Sequence, residues 1–387
     1  MYYIISGFSL VFFSFFGQTV FIGVFMDDIR STYGLSYLGM SNIYTISFIA
    51  ASLLTLKMGY LFDRIDAFKI AIFASVGMAL GLFVATQDAH WLCLLIGIFI
   101  LRLCGGNTMP PTAVILVNRH IDKNKGRATS YVQMGWPAMN FFAPLIAINA
   151  KAFYGWQEIW WLCALFALMI LPALFFLLSK KTPTQIPQQD SQQSTSDTSL
   201  KDYRFYIMMS VMIMIPVFVS NLMFYQQVIA SEFAIPHTDF IQLFAVFALC
   251  AVAGNLGSGV LIDKTCPRFI LLAVPFLCCI SLFMFVNAQN FNGLMLAISI
   301  LGVADGASGT IAGPLLSKLY GTRFLGKLKT TVYTVAVLFA AIPPMISGAF
   351  LDMSLTMKDV FLCFAVYSAI ALCVVCYFLP RFRTEAL

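Results

Sequence analysis

Charge is what this sequence has least of. Only 10% of its 387 residues are Asp, Glu, Lys or Arg, against about 25% in an ordinary soluble domain. With 60% of residues hydrophobic, most of the surface must face lipid. Histidine is scarce as well. His90, His120 and His237 fall at the ends of apolar runs or in loops, so no Ser-His-Asp set or metal cluster forms inside those runs. No Gly-x-x-x-x-Gly-Lys-Ser/Thr loop occurs, which excludes ATP held in that way as a driving force within the chain. The ten Cys lack paired metal spacing. Cys278 and Cys279 are adjacent, Cys373 and Cys376 are one turn apart, and all four read as small apolar fillers. An enzyme, a cofactor and a metal site are therefore not expected. The opening residues lack a basic stretch and a small-residue cleavage site, so the first apolar run reads as a retained span.

What is abundant is long apolar runs. A membrane-spanning helix needs about 20 apolar residues. Twelve runs qualify, at roughly 4–26, 37–57, 67–86, 91–117, 127–149, 157–178, 205–230, 238–261, 268–287, 291–317, 328–350 and 358–379. They are numbered span one to span twelve below. Between spans six and seven the composition changes to Lys180-Lys181-Thr-Pro and then Gln, Ser, Thr and Asp through Lys201. That stretch cannot bury apolar area and reads as a flexible linker. The expected organisation is a first six-helix bundle over 1–179, a cytoplasmic linker over 180–203 and a second six-helix bundle over 204–387.

The basic residues test this arrangement. With both termini cytoplasmic, the outer loops hold only Arg30, Lys151 and Lys358, and Arg102 lies inside a span. The remaining nineteen of the 23 Lys and Arg fall on the cytoplasmic side, as the positive-inside rule requires. The same distribution accounts for the net charge of +6 without nucleic acid as a partner.

The chain also repeats itself. Gly59-Tyr-Leu-Phe-Asp63-Arg64 returns 200 positions later as Gly259-Val-Leu-Ile-Asp263-Lys264. Gly106 pairs with Gly306, Gly126 with Gly326 and Arg127 with Lys327 at the same offset. Four landmarks at one offset suggest a duplicated membrane protein.

Few charges lie deep in the spans. Arg102 in span four is too far from either end to snorkel easily, so it must face protein or a wet cavity. Its functional reading is an anchor for a substrate carboxylate or a partner of a proton-coupling acid. Its structural reading is a group that bonds backbone carbonyls and fixes the span. Asp305 lies at similar depth in span ten, among Gly302, Gly306, Ser308 and Gly309. It reads as a proton carrier or cation contact, and its small neighbours also suit a close helix contact. Uncharged polar residues complete a candidate cavity: Gln18 on span one, Asn107 on span four, Gln133, Trp136 and Asn140 on span five, Asn221, Tyr225 and Gln226 at the end of span seven, and Tyr333 on span eleven. For each of these taken singly, an interhelical hydrogen bond is the plainer reading.

These features together resemble the major facilitator superfamily of secondary transporters: six spans, a polar linker and six spans. Gly59–Arg64 is similar to the family's Gly-x-Leu-x-Asp-Arg loop, with its second copy at Gly259–Lys264. Arg102-Leu-Cys-Gly105-Gly106 is similar to the family's fourth-span motif, with Gly105 where a Gln is often found. Pro343-Pro344-Met-Ile-Ser-Gly348-Ala-Phe-Leu-Asp352 resembles the eleventh-span ending of the monocarboxylate and oxalate–formate branch. Span one departs from eukaryotic monocarboxylate carriers in reading Phe16-Gly17-Gln18-Thr19. Span five lacks the Gly-Pro-x-x-Gly-Gly run of drug/proton antiporters.

The resemblance implies an all-α integral membrane protein of twelve transmembrane helices in two pseudo-symmetric six-helix bundles, with spans one, four, seven and ten lining a central cavity. It further implies alternating-access transport of a small-molecule substrate, with a proton as coupling ion and an organic anion or monocarboxylate favoured. The protein is expected to be a monomer in the lipid bilayer of a bacterial inner membrane. Gly59, Asp63, Arg64, Gly259, Asp263 and Lys264 are expected to form gating loops. The alternatives are an efflux pump for a drug-like compound or siderophore and, in another class, a membrane receptor or scaffold that does not transport.

Overall fold

The computed structural model describes residues 2–87, 90–121, 125–179, 202–264, 268–320 and 325–379. Among them every regular element is helical. The cause is elementary: in hydrocarbon a backbone amide has no water to bond, so an isolated apolar run must satisfy its own donors and acceptors. Among the described residues ten helices are long and apolar enough to cross a membrane, and they correspond to all the expected spans except one and five.

Those two spans are helical but broken. Span one runs as Tyr2–Phe13, a 3₁₀ turn over Ser14–Gly17, then Thr19–Val24 and Met26–Thr32. Span five runs as Lys125–Gln133 and Gly135–Ala150. Span four also departs from a regular helix, with a π turn over Arg102–Gly106 between Trp91–Leu101 and Met109–His120. Span eleven divides into Leu325–Ala340 and Pro343–Asp352.

The 200-residue offset seen in the sequence is an offset of whole helices. Tyr37–Arg64 and His237–Lys264 each have 28 residues. Met26–Thr32 and Gln226–Glu232 each have 7. Both short helices end in the same hydrogen-bonded turn. Leu35 N donates to Arg30 O at 3.0 Å and Gly34 N to Ser31 O at 3.2 Å. Ile235 N donates to Ala230 O at 2.9 Å and Ala234 N to Ser231 O at 3.1 Å. The turn needs a left-handed residue, supplied by Gly34 at φ 60° and by Ala234 at φ 53°.

The chain divides into two compact units, Met1–Gln192 with Met223–Gln227, and Gln193–Leu222 with Val228–Leu387. In the first, the ring of Trp160 stacks on Phe21 at 5.3 Å and meets Phe25 edge-on at 6.1 Å. At the C-terminal end of span one, Lys151 pairs with the Asp28 carboxylate, and Arg30 bonds Asp27 at 3.3 Å. In the second, spans eight and ten approach so closely that a Cβ on Gly306 would lie 1.9 Å from the Ala251 carbonyl oxygen and one on Gly254 2.3 Å from that of Val303. The Ser258 and Thr310 hydroxyls tie the same two helices at 2.6 Å.

Candidate functional site

Each break in a span strips a carbonyl of its helical amide, and a side chain from another element replaces it. In the first unit, Phe21 N bonds Gln18 O at 3.2 Å, so the Gly17 carbonyl is left without its usual partner. The Arg102 guanidinium donates to it from Nη1 at 2.8 Å. Gly17 can come this close only because it has no side chain. A Cβ there would lie 2.2 Å from Leu101 O and 2.5 Å from Gly106 N. The π turn of span four thus fits the 3₁₀ turn of span one, glycine against glycine. Asn107 N closes the π turn onto Arg102 O at 2.8 Å, and the Thr108 hydroxyl bonds Leu103 O at 2.6 Å.

Arg102 is 4% exposed, and its guanidinium carbon lies 3.7 Å from the centre of the Phe48 ring. A carbonyl and a ring face are favourable neighbours for a buried guanidinium. Beside it, the Tyr44 hydroxyl shares a 2.6 Å hydrogen bond with Thr19, and the Asn107 amide donates to the Ser52 hydroxyl at 3.2 Å. Tyr44, Phe48 and Ser52 were not singled out in the sequence, although their four-residue spacing places them on one face of span two. Gln18 is buried, with its amide 3.4 Å from the Ser14 hydroxyl.

On span five the three expected residues separate. Gln133 is exposed, whereas Trp136 and Asn140 are half-buried. Asn140 Oδ1 is buried with no hydrogen-bond partner among the described residues. Tyr225 and Gln226 are fully buried. The Gln226 amide donates to Val20 O at 3.0 Å and to Met223 O at 2.9 Å.

In the second unit, Pro344 has no N–H to offer Ala340, and the Ser220 hydroxyl bonds that carbonyl at 2.7 Å. Asn221 next to it is fully buried and accepts from the Ser347 hydroxyl at 2.7 Å. Its Nδ2 finds no partner among the described residues.

Asp305 is the fifteenth residue of the 30-residue helix Phe291–Tyr320, so it sits at the middle of the helix. It is half-buried, and its carboxylate makes no hydrogen bond or ion pair among the described residues. The backbone around it is regular: Ser308 donates to Asp305 O at 2.9 Å.

The expected gating loops are described only in part. Asp63 and Arg64 end the helix Tyr37–Arg64, and Asp263 and Lys264 end His237–Lys264. Their side chains, like those of Gly59 and Tyr333, lie outside the described residues. Gly259 is half-buried, and a Cβ on it would meet nothing within 4 Å. The sequence did not single out Asp66, which caps the helix Ala67–Ala85 by accepting from Phe68 N at 2.9 Å and Lys69 N at 3.3 Å.

Comparison with known proteins agrees with this architecture. The model of the Major Facilitator Superfamily matches over residues 7–228 and again over 205–386. The match is to the superfamily as a whole, and the expected nearness to the monocarboxylate and oxalate–formate branch finds no support in it. No curated protein matches the chain by sequence. Among solved structures, a bacterial homolog of the human lysosomal transporter Spinster, inward-facing and unoccupied, superposes with a TM-score of 0.74 at 14% identity, covering 100% of this chain and 98% of that one. A mutant form of the nucleoside transporter NupG superposes with a TM-score of 0.76 at 14% identity, covering 97% of this chain and 99% of that one. At such identities the likeness is one of fold. Two matches of the family model, one over each half of a duplicated helical membrane chain, place it plainly: the chain belongs to the Major Facilitator Superfamily.

Proposed function

We propose that this protein is a proton-linked carrier that moves a small organic solute across a bacterial inner membrane by alternating access. The observation that carries the reading is Asp305. A carboxylate at mid-span is expensive to maintain, and this one has no hydrogen bond or ion pair among the described residues to stabilise it. A purely structural acid would be expected to hold a partner. A proton carrier must be able to release and take one up. Family membership supports transport as the class of activity, as does the description of both structural neighbours as transporters or their homologs.

An organic anion is the favoured solute class, because Arg102 keeps a positive charge within the first unit. With Nη1 on the Gly17 carbonyl and its face on Phe48, Arg102 acts in this reading through its field and not as a free bidentate fork. The carrier works as a monomer with both termini in the cytoplasm, and its loops at Asp63 and Asp263 gate access.

Two measurements test the proposal in order. A thermal-stability screen of the purified protein identifies the solute, since a bound ligand raises the unfolding temperature by mass action. Monocarboxylates are expected to shift it. A shift with lipophilic cations and none with monocarboxylates would favour efflux of an amphipathic compound. Proteoliposomes loaded with the identified solute then test coupling. Asp305→Asn should keep solute counterflow and lose accumulation driven by a pH gradient. Accumulation at the unmodified rate would remove Asp305 from the mechanism, and ligand binding without counterflow would point to a receptor.

A further inference from the structure

The break in span one is held on its two sides at Gly17 and Thr19, and the segment beyond it is tied again at the carbonyls of Val20, by Gln226, and Val24, by Lys151. On its inner side the Gly17 carbonyl is bonded by Arg102 and backed by the glycines of span four. On its outer side the chain passes through Gln18 in an extended conformation, φ −95° and ψ 155°, and re-enters a helix at Thr19. The new helix, Thr19–Val24, has only six residues. That is too short to be stable on local hydrogen bonds alone, so contacts with its neighbours must set its direction.

Thr19 is the first residue of this helix, and its hydroxyl meets that of Tyr44 at 2.6 Å. Tyr44 is fully buried, with its ring 5.7 Å from Phe48 and 4.6 Å from Phe224. A ring packed in this way cannot follow Thr19 if Thr19 moves. The hydrogen bond therefore fixes the direction in which the helix leaves the break, at its first residue.

We infer that Tyr44 is a positioning residue: through the Thr19 hydroxyl it holds the outer segment of span one in a single direction at the break. This goes beyond the coupling role of Asp305 and is independent of it. A break in a transmembrane helix is tolerated only where protein groups re-satisfy its backbone. Here Arg102 supplies that satisfaction, while Tyr44 supplies orientation. Without Tyr44 the first turn of Thr19–Val24 loosens at the break, although Gly17 stays bonded to Arg102 and Val20 to Gln226.

Amide hydrogen exchange on the full-length protein in lipid nanodiscs tests this without any solute. Tyr44→Phe deletes the hydroxyl and keeps the ring. Thr19→Val deletes the partner hydroxyl and keeps the shape. Each single substitution should speed exchange about tenfold in peptides covering residues 14–24, the factor carried by a buried hydrogen bond of ordinary strength. Peptides from spans eight and ten should be unchanged. The double variant should exchange no faster than the faster single, because both substitutions remove the same bond. Exchange over 14–24 within about threefold of the unmodified protein in both singles, well short of the factor a lost buried hydrogen bond carries, would overturn the inference. So would an equal rise in every peptide, which marks general loss of stability, or effects that multiply in the double variant.

Discussion

At the scale of single residues, the lesson is how few side chains hold the irregular backbone. The Gly17 carbonyl goes to Arg102, that of Val20 to Gln226, that of Val24 to Lys151 at 3.3 Å and that of Ala340 to Ser220. In water such carbonyls would be solvated at little cost, whereas in lipid each unsatisfied one costs several kcal/mol. The repeated turn gives a residue-scale prediction. Gly34 and Ala234 occupy equivalent left-handed positions, φ 60° and 53°, but only glycine adopts that region freely. Ala234 is exposed and loses little packing on substitution. Ala234→Gly should therefore stabilise the protein by about 0.5–1 kcal/mol, seen as a small rise in the thermal unfolding midpoint in detergent. A lower midpoint would mean that the alanine methyl group contributes more than the strain costs.

At the scale of elements, the spans differ in how they are interrupted. Span eleven is broken by chemistry: Pro343 and Pro344 follow the last turn of Leu325–Ala340, and the lost amide of Pro344 leaves the Ala340 carbonyl to Ser220 on span seven. Ser220→Ala should then destabilise the protein by about 1–3 kcal/mol, the cost of leaving a buried acceptor unmade. Pro344→Ala in the same background should recover most of that loss, because the restored amide can bond Ala340 directly. Thermal unfolding of the two variants decides the matter, and failure of the second to recover would show that Ser220 acts by packing alone. Spans one and four are interrupted by fit. Span one contains no proline, and its 3₁₀ turn exists because the π turn of span four leaves room for Gly17 and no more.

At the scale of the whole molecule, the duplication is clear in helix lengths and turns but not in the deep charged residues. The first unit carries Arg102 on a π-bulged span, whereas the second carries Asp305 on an uninterrupted 30-residue helix. The distribution of Lys and Arg yields a topology prediction. Alkaline phosphatase fused after Leu387 should be inactive in a bacterial host, and a fluorescent protein at the same point should be bright, because both termini are expected on the cytoplasmic side. Active phosphatase there would invert the proposed orientation or change the number of spans.

Much of this protein was determined by its sequence alone. Apolar runs of about 20 residues have only one low-energy form in lipid, so the spans, the repeat at 200 residues and the superfamily could be read without coordinates. The depth of Arg102 and Asp305 followed from counting along those runs. Only the tertiary structure decided where the runs break and what holds them. Gly17 weakens a helix by only about 1 kcal/mol relative to alanine, too little for Ser14–Gln18 to mark a break on its own. The close fit at Gly17 depends on Leu101, Gly105 and Gly106, some 85 residues away in the chain, whose backbone leaves no room for a side chain there. For the same reason Tyr44 could not be picked out among fifteen tyrosines. Its importance is a 2.6 Å contact with Thr19, and such a contact exists only once span two is packed against the break.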